Sequence, residues 1–234
     1  MDKILGVRVD NLGKKEILEK VESFLSSNKF HQIATVNPEF ILAAQKDEEF
    51  KNILNSCDLN VADGIGIKLA FWKLGLQKLK TRIAGVDLMQ EILKMADKRG
   101  SGVYLIASRD GLSTYEEIRD IISKTYPNLK ISGDNIDKNV IGYGLQVTGC
   151  EIVFCSLGAP YQEKFLNSLK SANIRLAMGV GGSFDYFTGK VRRSPKWMRQ
   201  TGLEWLFRLI QQPNRFRRIF NAVIIFPIKI IFFK

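Results

Sequence analysis

HQIATVNPEFILAAQKDEEFKNILNSCDLNVADGIG, residues 31–66, is the stretch on which the fold turns. Two short apolar runs, His31–Val36 and Leu59–Ala62, bracket a segment from Pro38 to Leu54 whose apolar residues recur at helical spacing. Strand, helix, strand is the unit of a parallel sheet, because parallel neighbours need a crossover connection. The pattern repeats outward from there. Further strands are expected at Val103–Ala107, Lys130–Ser132, Ile152–Leu157 and Ile174–Met178. Helices are expected at Lys14–Ser26, Val86–Lys98 and Ser113–Lys124, and from about Pro160 to Lys170. Short apolar strands alternating with amphipathic helices predict an α/β fold, a Rossmann-like and mostly parallel sheet with helices on both faces. Right-handed crossovers then gather the C-terminal strand ends along one edge, where open α/β sheets bind ligands.

Three loops on that edge carry chemistry. Asp63-Gly64-Ile65-Gly66 follows the Leu59–Ala62 strand, and Gly158-Ala159-Pro160-Tyr161-Gln162-Glu163 follows Ile152–Leu157. Gly179-Val180-Gly181-Gly182 follows Ile174–Met178. Glycines let backbone N–H groups approach a ligand, and a helix N-terminus beside such a loop seats a diphosphate. Any one of these loops reads equally well as a tight turn; several on one edge favour a cleft. Asp63 has two readings, general base toward a substrate hydroxyl or cap of a helix starting near Ile65. Asn37 before Pro38 reads as a helix N-cap, or, with Thr35, as a hydrogen-bonding group for a sugar or nucleotide. The cap reading leaves Thr35 and Glu39 unexplained. His31, the single histidine, stands at a strand start with no serine or cysteine motif beside it and reads as structural. The sequence holds no GxSxG, HExxH or DxD-like cluster, so neither a hydrolase triad nor a tightly bound catalytic metal is expected. Gly142, Gly144 and Gly149 do not form GxGxxG and precede a strand, which speaks against a nicotinamide enzyme; no cofactor is expected.

Cys57, Cys150 and Cys155 are odd in number and include no CxxC pair, which fits a reducing compartment. The N-terminus lacks a signal-peptide stretch, and no run reaches the roughly 20 apolar residues of a spanning helix. A cytoplasmic body is expected. The net charge is +11, and from Lys190 to Lys234 eleven basic residues face one acid, Glu204, whereas the first 189 residues hold 24 basic and 23 acidic side chains. The excess therefore sits in the last fifth of the chain, where it seeks phosphate. Gly202–Gln211 reads as an amphipathic helix, Pro213 restarts the chain into Asn214-Arg215-Phe216-Arg217-Arg218, and Val223–Phe233 is apolar except for Pro227 and Lys229. Residues 196–234 are thus expected to form a basic, amphipathic helical appendage on a catalytic domain of residues 1–195. Its composition fits an interfacial anchor on an anionic membrane surface, each basic residue adding about 1 kcal/mol. A core helix is the alternative reading. A nucleic-acid partner is not expected, because the apolar end would be poorly placed in water.

The ordered motifs Thr35-Val36-Asn37, Asp63-Gly64-Ile65-Gly66, Arg82-Ile83-Ala84-Gly85-Val86-Asp87-Leu88 and Gly158-Ala159-Pro160-Tyr161-Gln162-Glu163 resemble those of a known family. Gly179-Val180-Gly181-Gly182-Ser183-Phe184-Asp185 and Gly202-Leu203-Glu204-Trp205-Leu206-Phe207-Arg208-Leu209 follow in the family's order. The set is similar to the WecG/TagA/CpsF glycosyltransferases over about residues 4 to 220. The resemblance implies an inverting, metal-independent transfer of N-acetylmannosamine from a UDP-sugar donor to the 4-hydroxyl of N-acetylglucosamine on undecaprenyl diphosphate. It implies Asp63 as general base and Thr35, Asn37, Arg82 and Gln162 as substrate-binding, with Gly158, Gly181, Gly182 and Asp185 in the same pocket. It further implies that Arg208, Arg215 and Arg218 close over the site toward diphosphate. A peripheral place on the inner face of a bacterial membrane, and a dimer or trimer off it, are implied as well. Two positions depart from the family's pattern: Ser194 in Arg193-Ser194-Pro195, where alanine is usual, and Ile219, where an aromatic residue often stands.

Overall fold

The computed structural model describes residues 2–138, 147–171 and 173–232. Gly142, Gly144 and the last two residues of the tail lie outside them. The chain opens with an antiparallel hairpin, β1 (Asp2–Ile4) and β2 (Val7–Val9), absent from the sequence reading. Strands of three residues are too short for alternation to register, and the turn rests on Leu5 and Gly6, both at positive φ. Helix α1 (Lys14–Ser26) leads to β3 (His31–Val36). The helix expected over residues 38–54 is two helices, α2 (Pro38–Ala44) and α3 (Glu48–Ser56). Asp47 divides them, because its carboxylate accepts the Phe50 N–H at 3.0 Å and caps a second helix start.

After β4 (Leu59–Ala62) and α4 (Ile65–Lys73), the chain runs through α5 (Gly85–Arg99) to β5 (Gly102–Ser108), α6 (Tyr115–Thr125) and β6 (Lys130–Ile136). β7 (Ile152–Cys155), α7 (Tyr161–Ser168) and β8 (Leu176–Gly179) complete a six-stranded sheet in the order β4-β3-β8-β7-β5-β6. Each neighbouring pair is parallel. The α/β architecture read from residues 31–66 is therefore the architecture observed. Central strands β7 and β8 are buried at every position, as a sheet covered on both faces requires. Edge strand β4 is buried too, because the Asp10 N–H bonds the Asn60 carbonyl at 2.9 Å and the chain after β2 covers that edge. On one face α1, α5 and α6 pack over Ile33, Leu105 and Phe154; on the other the hairpin, α2, α3 and α4 pack over Ala34, Val36 and Ala62.

Beyond α8 (Phe184–Phe187) comes the basic tail. It consists of α9 (Lys196–Thr201), α10 (Glu204–Gln211), a tight turn at Pro213–Arg215 and a helical run of α11 (Phe216–Phe220), a π turn (Asn221–Ile225) and α12 (Phe226–Phe232). Pro227 does not end that run. The Phe226 N–H reaches back to the Asn221 carbonyl, and this wider register accommodates a neighbour with no N–H of its own. The inner face of α12 joins the core: Phe226 and Ile230 are buried beside Ile41, Ile67, Ala70 and Phe71. A Cβ on Gly66 would meet the Pro38 ring at 2.5 Å, so glycine leaves the room that Pro38 fills, and Phe226 of the tail packs alongside at 3.5 Å. By contrast α10 buries no residue. No helix among the described residues is long and apolar enough to cross a membrane.

Phe226→Ala is expected to destabilise the whole protein by about 3–5 kcal/mol, the usual cost of emptying a buried phenylalanine site. Urea unfolding reads this directly. A change near zero would mean that the tail contributes nothing to the folded core.

Candidate active site

The carboxyl ends of β3, β4, β5, β7 and β8 open into one cleft of about 560 Å³, roofed by α10 and the start of α11. That volume suits a ligand of nucleotide-sugar size. All twelve residues singled out from the sequence line it: Thr35, Asn37, Asp63, Arg82, Gly158, Gln162, Gly181, Gly182, Asp185, Arg208, Arg215 and Arg218. The roles they play within it differ.

Asp63 ends β4, and its backbone N–H bonds the Val36 carbonyl at 2.8 Å. It does not cap α4, whose N-cap is Gly64, held at a φ of 87° that favours glycine. Its half-buried carboxylate instead lies near the Gly85 N–H at the start of α5, which favours its charged form. Loss of hydration in the cleft pushes its pKa up to about 7, with the Glu204 charge adding to the rise. Arg82, Arg208 and the Gly85 N–H oppose that shift. A carboxyl titrating near neutrality can take up a proton and release it again at working pH.

Asn37 does cap α2: its Oδ1 accepts the Phe40 N–H at 3.1 Å, with Pro38 as the first helical residue. Its side-chain N–H groups remain for a ligand. Gln162 is buried and braces the two glycine loops. Its Oε1 accepts the N–H groups of Gly158 and Gly181, both at 3.1 Å, and its Nε2 donates to Glu163 Oε1 at 2.7 Å. Burial lifts the Glu163 carboxyl to about 8. Arg82 donates to the Arg199 carbonyl of α9 at 2.6 Å, tying the tail to the cleft. Asp185 accepts a hydrogen bond from Ser113 Oγ at 2.9 Å.

The three tail arginines are unequal. Arg218 is bound at the rim by Glu39, at 3.0 and 2.5 Å, which also accounts for Glu39. Arg208 and Arg215 converge on Gly182, where an added Cβ would lie 2.7 Å from one Nη2 and 3.4 Å from the other. Arg208 Nε and Nη2 are buried with no hydrogen-bond partner. Burial and the charges of Arg208 and Arg218 push the Arg215 pKa down to about 10. Two partly desolvated cations with open donors form a site for a dense anion. What holds Arg208 is aromatic: its guanidinium lies 5.3 Å from the Tyr186 ring centroid, and that of Arg193 lies 5.5 Å from the same ring. Arg193 in turn grips Asp87 with two bonds of 2.7 and 3.1 Å. Of the two departures from the family pattern, Ser194 is buried with its hydroxyl unpartnered, and Ile219 lines the cleft.

The sequence reading missed Ser108 at the end of β5 and Asp110 and Ser113 on the loop after it, although that loop lies on the same sheet edge. It also missed Glu204, Trp205 and Tyr186, whose place in the cleft depends on how the tail folds back. No cluster of three or more His, Cys, Asp or Glu side chains among the described residues is placed to hold a metal ion.

Two comparisons bear on this cleft. The model of the glycosyl transferase WecG/TagA/CpsF family matches residues 2–233. The N-acetylglucosaminyldiphosphoundecaprenol N-acetyl-beta-D-mannosaminyltransferase of Bacillus subtilis (strain 168) is 34% identical over 221 residues, covering 91% of this chain and 81% of that protein.

The raised pKa of Asp63 has a consequence for stability. Folded, the group keeps its proton up to about pH 7, whereas the unfolded chain releases it near the ordinary carboxylate value of about 4. Its contribution to stability therefore falls as pH rises through that window. Asp63→Asn is expected to melt above the wild type by a margin that is smaller at pH 5 than at pH 8. Equal melting temperatures at both pH values would show that the carboxylate ionises in the cleft without penalty.

Proposed function

The chain belongs to the WecG/TagA/CpsF glycosyltransferase family, and we propose that it transfers N-acetylmannosamine from UDP-ManNAc to the 4-hydroxyl of N-acetylglucosamine on undecaprenyl diphosphate. The product is a β-1,4-linked disaccharide lipid, an early intermediate of the wall teichoic acid linkage unit. The observation that carries this reading is one cleft holding a carboxyl that titrates near pH 7 and two converging arginines, one with unpartnered donors. The 34% identity to a ManNAc transferase supports the choice of sugar and acceptor.

The chemistry is a single displacement. The acceptor oxygen attacks the anomeric carbon, its proton passes to the Asp63 carboxylate, and the bond from that carbon to the diphosphate oxygen breaks. Attack from the face opposite the departing UDP inverts the centre. Negative charge then grows on the leaving diphosphate, and Arg208 and Arg215 stabilise it. Their positions are set before reaction by Tyr186 and by the tail's contacts with Arg82 and the core, so little reorganisation is needed at the transition state. The Gly158 and Gly181 loops, braced by Gln162, supply the floor on which the donor lies. The basic, apolar tail brings the cleft to an anionic membrane surface, where the lipid-linked acceptor resides.

Mixing the protein with UDP-ManNAc and a lipid-linked GlcNAc acceptor should yield the disaccharide lipid by mass spectrometry. Turnover with another UDP-sugar and none with UDP-ManNAc would overturn the donor assignment while leaving the transferase. Asp63→Ala is expected to lower kcat by about 10²- to 10⁴-fold with the fold intact. In the wild type, kcat/KM should rise with pH and level off above about 7. Tyr186→Leu should weaken UDP binding, whereas Tyr186→Phe, which keeps the ring face, should bind as the wild type does. Equal behaviour of the two would remove the ring from the account of Arg208.

A further inference from the structure

Twelve large apolar side chains are exposed among the described residues, and their distribution is uneven. Two stand on α4 and eight between Trp197 and Phe232. The tail's share was expected from composition; that of α4 was not. Trp72, at 79% exposed, and Leu69, at 50%, lie one helical turn apart on α4. On the tail, Ile224, Ile228 and Ile231 follow at spacings of four and three, one stripe along the outer side of the helix whose inner side buries Phe226 and Ile230. The two helices pack against each other, sharing the cluster of Ile67, Ala70, Phe71, Phe226 and Ile230. Their outer faces therefore adjoin.

The charge of both segments has one sign. Residues 64–86 contain five Lys or Arg and no acid, and residues 205–234 contain six and no acid. Among the described residues no carboxylate pairs with Lys68, Lys73, Arg217 or Lys229. Two stretches more than a hundred residues apart in sequence are thus both free of acid, both greasy outward, and side by side in the fold. The surface also meets the cleft: Ile65 and Gly66 begin α4, Ala222 and Val223 precede the Ile224 stripe, and all four line the cleft wall.

We propose that α4 of the catalytic domain and the outer stripe of the tail form one composite docking face for an anionic phospholipid bilayer, with Trp72 and Leu69 entering the interface from the α4 side. This rests on the transferase reading in one respect, that the acceptor is lipid-linked. The match of partner is chemical: unpaired lysines and arginines meet lipid phosphates, and an indole with aliphatic neighbours enters the headgroup region. The docked cleft then faces the bilayer along an apolar wall. A lipid-carried sugar reaches Asp63, the residue two before α4, without its chain crossing open water.

The test is co-sedimentation of the full-length protein with vesicles of phosphatidylglycerol and phosphatidylcholine, beside vesicles of phosphatidylcholine alone. The wild type should bind the anionic vesicles and not the neutral ones. The double variant Leu69→Ser/Trp72→Ser, with the tail intact, should bind at least roughly tenfold more weakly, the scale expected for losing two partly inserted apolar side chains. Lys68→Glu/Lys73→Glu should weaken binding to the anionic vesicles similarly. Both variants should melt as the wild type does and keep turnover on a short, water-soluble acceptor, losing it only on acceptor embedded in vesicles. Unchanged vesicle binding by the α4 variants would overturn the composite face. So would a wild type that ignores vesicles but forms a dimer that Leu69→Ser/Trp72→Ser dissociates, because the face would then join two copies of the chain. Vesicle binding that behaves as expected, without turnover on any acceptor, would refute the transferase reading and leave this one standing.

Discussion

Phe226 packs beside Gly66 in the core that α4 shares with the tail, and the position of the tail residues in the cleft follows from that contact. A side chain at residue 66 would collide with the Pro38 ring at the start of α2, in the same place where Phe226 packs at contact distance. With α12 held, the run from Phe216 to Phe232 is fixed, and α10 is left bridging the cleft between two anchored ends. Its other anchor is the turn at Gly202, where a Cβ would lie 2.7 Å from Ile65. Both anchors use the same element, α4. A helix that buries none of its own residues is thus placed by packing on either side of it. This explains how α10, apolar and only half-buried, can deliver Arg208 to Gly182.

The electrostatics of the cleft form a single balanced set. Asp63 loses hydration and so resists ionising, while the charges of Arg82 and Arg208 favour its carboxylate form. Glu204 on the same helix works the other way and keeps the Asp63 pKa near neutrality. Arg215 is pressed by Arg208 and Arg218, so the arginines repel one another in the absence of an anion. An arriving diphosphate relieves that repulsion and removes the positive bias on Asp63 in one step. Donor binding would thereby raise the basicity of the proposed base just as the acceptor must be deprotonated. The tail supplies both the cations and the opposing carboxylate.

The sheet could be read from residues 31–66 because strand and helix periods differ by nearly a factor of two, and six apolar runs carried the strand pattern. What failed was local. The split at Asp47 is a matter of one carboxylate and one N–H, below the resolution of a periodicity argument. The hairpin has too few residues to show a period at all. In the site, the residues on strand ends, Thr35, Asn37 and Asp63, were legible because topology alone brings them to the edge. Their roles were less so: Asn37 is both cap and cleft residue, and Gln162 spends its polar atoms on bracing the loops. Tyr186 and Glu204 were not legible, since nothing local in either segment says that one will lie in the same cleft as the other.

The tail first draws notice as an excess of charge, and part of that charge is used inside the fold. Of its cationic side chains, Arg193 is spent on Asp87, Arg218 on Glu39, and Arg208 and Arg215 turn inward. Few remain to face outward, and these alone would hold a membrane weakly at physiological salt. The outward apolar stripe adds to that adhesion, and a stripe one helix wide is narrow. Lysines and a tryptophan on α4 widen it, and they belong to the domain that carries Asp63. An enzyme anchored only by a tethered tail could tumble beneath the bilayer with its cleft facing any direction. On the proposed docking face, two rigidly packed helices would fix the tilt as well as the distance. For a reaction whose acceptor cannot leave the bilayer, orientation is worth more than affinity.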